Sequence, residues 1–164
     1  MIWTSVRLMH ILSLFLISIH MANWSEFDKG VFLVNVLGIV YNPATKKILI
    51  GRRESDPYIK ELSWTFPGGR PVYEKELEQY LQEQIKIKTN LDVQVEKIVF
   101  AKTYPEKREF LSIYYLCTVA SGTEQTSQAK EKFVEIQWVK PTQVKEFFTT
   151  SLHPKLFEYL KTLE

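Results

Sequence analysis

Trp64-Thr65-Phe66 runs into Pro67-Gly68-Gly69, and from Glu74 to Lys88 the chain then contains neither glycine nor proline. A β-prone aromatic stretch, an enforced turn and an unbroken helical run allow few arrangements: a strand stops, the chain reverses, and a helix begins. Leu77, Tyr80, Leu81, Ile85 and Ile87 fall on one side at about 100° per residue, so the spacing predicts an amphipathic helix over 74–88.

The flanking sequence supplies strands. Val31 to Tyr41 is β-branched and apolar, Asn42-Pro43-Ala44-Thr45 offers turn chemistry, and Lys47 to Arg52 resumes an extended pattern. Residues 53–62 read as a loop and 63–66 as a short strand. Beyond the helix, 93–102 and 109–120 alternate and are expected to pair antiparallel across the Pro105 break. A polar loop over 122–132 precedes a strand at 133–139. Two helical stretches follow, at 141–147 with Pro141 in a first helical position, and at 154–163 with Leu156, Phe157, Leu160 and Leu163 at helical spacing.

The chain has 164 residues, 45% of them hydrophobic, enough for one domain with a sizeable core. A net charge of +2 argues against a nucleic-acid-coating protein, so no nucleic-acid partner is expected. Cys117 is the single cysteine and lies in an apolar run, which suits a core thiol and a reducing, cytoplasmic setting. Residues 1–20 differ in character. Ile11 to Ile19 is almost wholly apolar, preceded by Arg7 and followed by a second methionine, Met21. Three readings stand for this extension: an over-extended start ahead of a domain at 21–164, an export signal, or an apolar helix packed on the domain. The run is shorter than the roughly 18–20 residues a spanning helix needs, so no stable membrane anchor is expected.

Gly51-Arg52-Arg53, then the Pro67-Gly68-Gly69-Arg70 turn with its helix, then Glu135-Ile136-Gln137-Trp138-Val139 follow one another in an order that resembles the Nudix superfamily. The resemblance covers most of residues 31–163. It implies an α/β (α+β) fold, a Nudix-type α/β/α sandwich with a central mixed β-sheet. It also implies action on a nucleoside diphosphate linked to another moiety, with Mg2+ or Mn2+ held by glutamates that screen the pyrophosphate and activate water. The family's box runs glycine, five residues, glutamate, seven residues, Arg-Glu-hydrophobic-x-Glu-Glu-x-Gly-hydrophobic. Counted from Gly69, only Gly69, Ile85 and Leu91 match; the first glutamate position holds Lys75, and the later three hold Gln84, Ile87 and Lys88.

Among the acids that remain, Glu83 adjoins a missing ligand and Glu135 occupies a late acidic position, so both are candidate catalytic and metal-binding residues. Glu74, Glu76, Glu78 and Glu83 read equally as solvated helix surface, and Glu135 as the exposed partner of an alternating strand. His153, before Pro154, is a candidate general base or a helix-cap neighbour. For Gln84 and Lys88 the readings are a snorkelling lysine with a capping amide, an ammonium that contacts phosphate in place of a lost cation, or a decayed site. Gly68 and Gly69 give close backbone approach to a ligand, and Arg70 and Arg52 offer forked donors to phosphate. Lys75, Lys102, Lys107 and Arg108 add charge, and Tyr58, Trp64, Phe66 and Tyr73 are candidates for stacking on a base.

Two functions follow from these residues: a Nudix hydrolase-like enzyme with reduced metal use, or a binding protein for nucleotides or sugar nucleotides that has lost chemistry and needs no cofactor. Gly68-Gly69-Arg70 is also similar to the GDP-mannose hydrolase branch, whose box lacks some glutamates. The partner expected in either case is a small-molecule nucleoside diphosphate derivative; the sequence is also compatible with a homodimer.

Overall fold

The computed structural model describes residues 32–54, 63–104, 107–126, 133–150 and 152–164. The three readings of residues 1–20 therefore fall outside the described residues. No described helix is long and apolar enough to cross a membrane.

Strands β1 (Leu33–Asn42) and β2 (Lys47–Arg52) flank a turn in which the Asn42 side chain accepts from the backbone amides of Ala44 and Thr45 at 3.0 and 3.3 Å. They pair only at Tyr41–Ile48 and Asn42–Lys47, then splay apart. The gap is filled by β3 (Trp64–Thr65), which pairs with β2, and β4 (Gly68–Gly69), which pairs with β1. Proline and two glycines predict a turn there; the structure uses the glycines as a strand because β1 offers an open edge at Val36 and Leu37.

Helix α1 (Leu77–Thr89) starts three residues later than the apolar spacing predicts and ends one later. Residues 73–75 form a turn instead, and Asn90 closes the helix in the left-handed conformation, its amide donating to the Lys86 carbonyl at 2.8 Å. Leu81, Ile85, Lys88 and Thr89 are buried, whereas Ile87 is 46% exposed. The predicted apolar face was thus drawn too wide, and the lysine lies inside it.

β5 (Asp92–Tyr104) and β6 (Lys107–Ser121) form a long antiparallel pair, and β6 runs parallel to β1 from Leu33–Phe110 to Tyr41–Thr118. β7 (Glu135–Val139) pairs with the other edge of β2. The sheet is therefore mixed, in the order β3-β2-β1-β6-β5 with β4 on β1 and β7 on β2. A 3-10 turn (Pro141–Gln143) leads into α2 (Val144–Phe147), and α3 (Pro154–Lys161) ends the domain, tied to β1 by a 2.8 Å bond from the Tyr41 hydroxyl to the Leu163 carbonyl.

Side chains alternate between two cores. Val36, Val40, Leu49, Tyr115 and Cys117 pack with Leu81 and Ile85 of α1; Ile39, Ile48, Ile50, Phe66 and Tyr114 pack with Val144, Leu156 and Leu160 of the C-terminal helices. Helices thus cover both faces of a mixed sheet, the α/β/α sandwich that the resemblance implies. Burial of each large aliphatic side chain contributes about 1.5–3 kcal/mol, and Leu81 and Ile85, both 0% exposed, fix α1 on the sheet beside β4.

Candidate functional site

The Gly68–Gly69 strand is the centre of the site, and Gly68 leaves no room for a side chain. A Cβ on Gly68 would lie 2.0 Å from the Val36 carbonyl oxygen, and one on Gly69 would lie 2.8 Å from the Tyr80 hydroxyl and 3.3 Å from Gln84 Oε1. Tyr80 and Gln84 therefore press on the glycines from α1. Lys88, one turn beyond Gln84, is only 5% exposed, and its ammonium donates to the Gly68 carbonyl oxygen. The snorkelling reading of this lysine is overturned: the side chain turns inward to the glycine strand. Gly68, Gly69, Gln84 and Lys88, singled out from the sequence, meet here.

The acids are otherwise engaged. Glu83 pairs with Lys75 and also accepts from Gln79 Nε2 at 3.3 Å. The Lys75 hydrogen bond, with smaller help from its charge and from Gln79, holds the Glu83 carboxyl below its ordinary range. Glu135 stands opposite Arg52 in the β2–β7 ladder, accepts from Arg52 Nε at 2.9 Å and from Gln137 Nε2 at 2.6 Å, and is likewise held low by Gln137 and then Arg52. Burial first, and then the Glu78 charge, push the Tyr115 hydroxyl up to about 12.

His153 is not brought to the glycines. It caps α3, its Nδ1 accepting from the Lys155 amide at 3.2 Å, and its ring packs 4.8 Å from that of Phe100. Phe100 belongs to the core on the C-terminal-helix side, the face opposite α1. Arg70 lies 5.6 Å from the centre of the Phe110 ring. Trp64 and Phe66 are taken up by packing, against Phe147 at 5.3 Å and Phe148 at 5.0 Å, while Tyr73 is wholly exposed. Tyr58 lies outside the described residues.

Sequence reasoning missed two features. Tyr80 reads as part of an apolar stripe but directs its hydroxyl at Gly69. Tyr104 bonds Ser112 at 3.1 Å and Tyr114 at 3.2 Å, with Lys102 Nζ 3.9 Å above the Tyr104 ring. The signal was the two-residue spacing of Phe100, Lys102 and Tyr104 opposite Ser112 and Tyr114, legible only once the β5–β6 register is known.

A mixed sheet sandwiched by helices, with a glycine strand set between two splayed strands, defines an α/β/α class of domain. The chain belongs to the Nudix family: the NUDIX domain matches residues 31–160. Its fold is similar to that of the MutT protein from Methanosarcina mazei Go1, at 15% identity and a TM-score of 0.64 over 82% of this chain and 96% of that one. A NUDIX hydrolase from Nitrosomonas europaea is 16% identical over 80% of this chain and 72% of that one, with a TM-score of 0.65. An ADP-ribose pyrophosphatase from Streptococcus suis 89-1591 is 17% identical over 79% and 90%, with a TM-score of 0.58. No curated protein matches the chain at significant similarity.

Nudix hydrolases generally use divalent metal ions. Mg2+ and Mn2+ require several hard oxygen ligands around one point. Here Gln84 offers a neutral amide, Ile87 an outward aliphatic chain and Lys88 an ammonium already placed on the Gly68 carbonyl. Among the described residues no group of three or more His, Cys, Asp or Glu is placed to hold a metal ion. The described residues do not fit the ion.

Proposed function

We propose that this Nudix domain binds a nucleoside diphosphate linked to a second moiety and does not hydrolyse it by a metal-activated water. The observation that carries this reading is the state of its two best-placed acids: Glu83 and Glu135 are each matched by a cation, Lys75 and Arg52. An acid held by its own counter-ion is a poor ligand for a second cation. What remains around the glycine strand is cationic and amide in character, suited to a polyanion. The Arg70 guanidinium follows the glycines directly and is the natural fork for a phosphate. Tyr73, three residues on, offers an open ring for a base or sugar. That one structural relative is an ADP-ribose pyrophosphatase agrees with a diphosphate flanked by two larger groups.

Family membership favours the alternative of retained hydrolysis, and one experiment separates the two. Nucleoside diphosphate sugars and ADP-ribose are incubated with the protein and Mg2+ or Mn2+, with binding followed by calorimetry and products by chromatography. Saturable binding with the ligand recovered intact is expected. Metal-dependent turnover abolished by Glu83→Gln or Glu135→Gln would replace the binding reading by the enzymatic one.

A further inference from the structure

We infer that the ion pair of Lys75 with Glu83 is the clasp of a loop running from Gly69 to Lys75, and that closing this loop presents Arg70 and Tyr73 to a ligand. The inference rests on the binding reading above and adds to it the side chains that position its contacts. Both ends of the loop meet the same turn of α1. Gly69 enters beside Gln84, whose Oε1 would lie 3.3 Å from a Cβ on the glycine, and Lys75 leaves onto Glu83, the preceding residue of the helix. Lys75, Gln79 and Glu83 are spaced by four, so in an unbroken helix Lys75 would stand about 12 Å along the axis from Glu83. Instead residues 73–75 form a turn, in which the Lys75 amide donates to the Val72 carbonyl at 3.5 Å, and the Lys75 ammonium comes alongside Glu83.

The apolar side chains of the loop do not hold it in place. Val72 is 46% exposed and Tyr73 wholly so, and neither belongs to the two cores. The clasp itself is anchored on the helix: Lys75 takes one oxygen of the Glu83 carboxylate, and Gln79 donates to the other at 3.3 Å. A loop closed in this way has less freedom to lose when a ligand arrives, so closure favours binding without adding a contact. Glu83 is thus a positioning residue that acts through Lys75. The sign of its effect separates a clasp from a plain charge. An ammonium needed only for its charge becomes more available to a polyanion once Glu83 is neutral, whereas a clasp is lost when either partner is removed.

The test combines amide hydrogen exchange of residues 70–75, followed by nuclear magnetic resonance without ligand, with calorimetric titration of ADP-ribose in EDTA. It compares the wild type, Lys75→Met, Glu83→Gln, and the exchange of charges Lys75→Glu with Glu83→Lys. Both single variants should speed exchange in the loop while the amides of Leu81 and Ile85 stay protected, and both should weaken ADP-ribose binding by about three- to fivefold, the scale of a surface ion pair. The charge exchange should restore the slow exchange and most of the affinity. Loop exchange unchanged in Glu83→Gln, or ADP-ribose bound by that variant as tightly as by the wild type or more so, would overturn the inference while leaving the binding reading intact. A wild type that binds no nucleoside diphosphate derivative, with or without metal, would overturn the binding reading and the clasp's part in it, and the exchange rates would still show whether the pair closes the loop. Should the charge exchange not fold, the two single variants decide the matter alone.

Discussion

The ring of Phe133 fills the space above Gly51, so closely that a Cβ on the glycine would lie 2.1 Å from the ring. Phe133 is 1% exposed and enters β7, which pairs with β2 along its whole length, so this contact seats the last strand on the sheet. Gly51→Ala should destabilise the domain by about 1–3 kcal/mol through overpacking, and Phe133→Ala by about 3–5 kcal/mol through the cavity it leaves. The double variant should cost less than the sum, because the new methyl group enters the vacated space. Denaturant unfolding of the four proteins measures the coupling.

Acid should loosen the β2–β7 edge and the start of α1. The Glu83 and Glu135 carboxyls are held below the ordinary glutamate range by their hydrogen bonds. A depressed folded value means that the stabilisation is present above the unfolded value and is lost as pH falls through the folded one. Glu135→Gln should therefore flatten the fall in stability on the acid side of that range. Unfolding midpoints measured across the acid range, compared between wild type and variant, check the slope.

Cys117 should be inert in the folded protein. It is fully buried, and burial pushes its thiol up to about 12, so almost no thiolate forms near neutrality. A disulfide reagent should modify it only at the rate of unfolding. Tyr115, also raised to about 12, gives the matching alkaline signature: stability present below the ordinary tyrosine value is lost as pH rises through the folded one. Tyr115→Phe should reduce that alkaline loss, as followed by circular dichroism.

Arg70→Ala should weaken binding of a nucleoside diphosphate derivative by roughly tenfold or more, since a charge-assisted hydrogen bond contributes about 1.5–3 kcal/mol. Arg70→Lys should recover only part of it, because a lysine cannot fork across two phosphate oxygens. Calorimetric titration of the same ligand into the three proteins distinguishes a forked contact from simple charge.

The sheet and helices were legible because they depend on local pattern: β-branched apolar composition on β1, alternation on β2, β5 and β6, helical spacing on α1 and α3, and the asparagine-proline turn. The strand made by Gly68 and Gly69 was not, since it exists only where β1 and β2 diverge. The motif positions of Gly68, Gly69, Gln84 and Lys88 were legible from the box spacing. Where Lys88 pointed was not, because burial of a charge is decided by a partner twenty residues away in sequence. Pairing of Lys75 with Glu83 was hidden for a similar reason: Lys75 precedes the helix, and only the turn at 73–75 brings it alongside. Ile87 misled because it borders the apolar stripe without belonging to it.

The most direct measurement is calorimetric titration of ADP-ribose into the protein in EDTA and again in excess Mg2+. A diphosphate site built from fixed cations predicts the same affinity in both buffers. Binding that disappears in EDTA and returns with Mg2+ would contradict it.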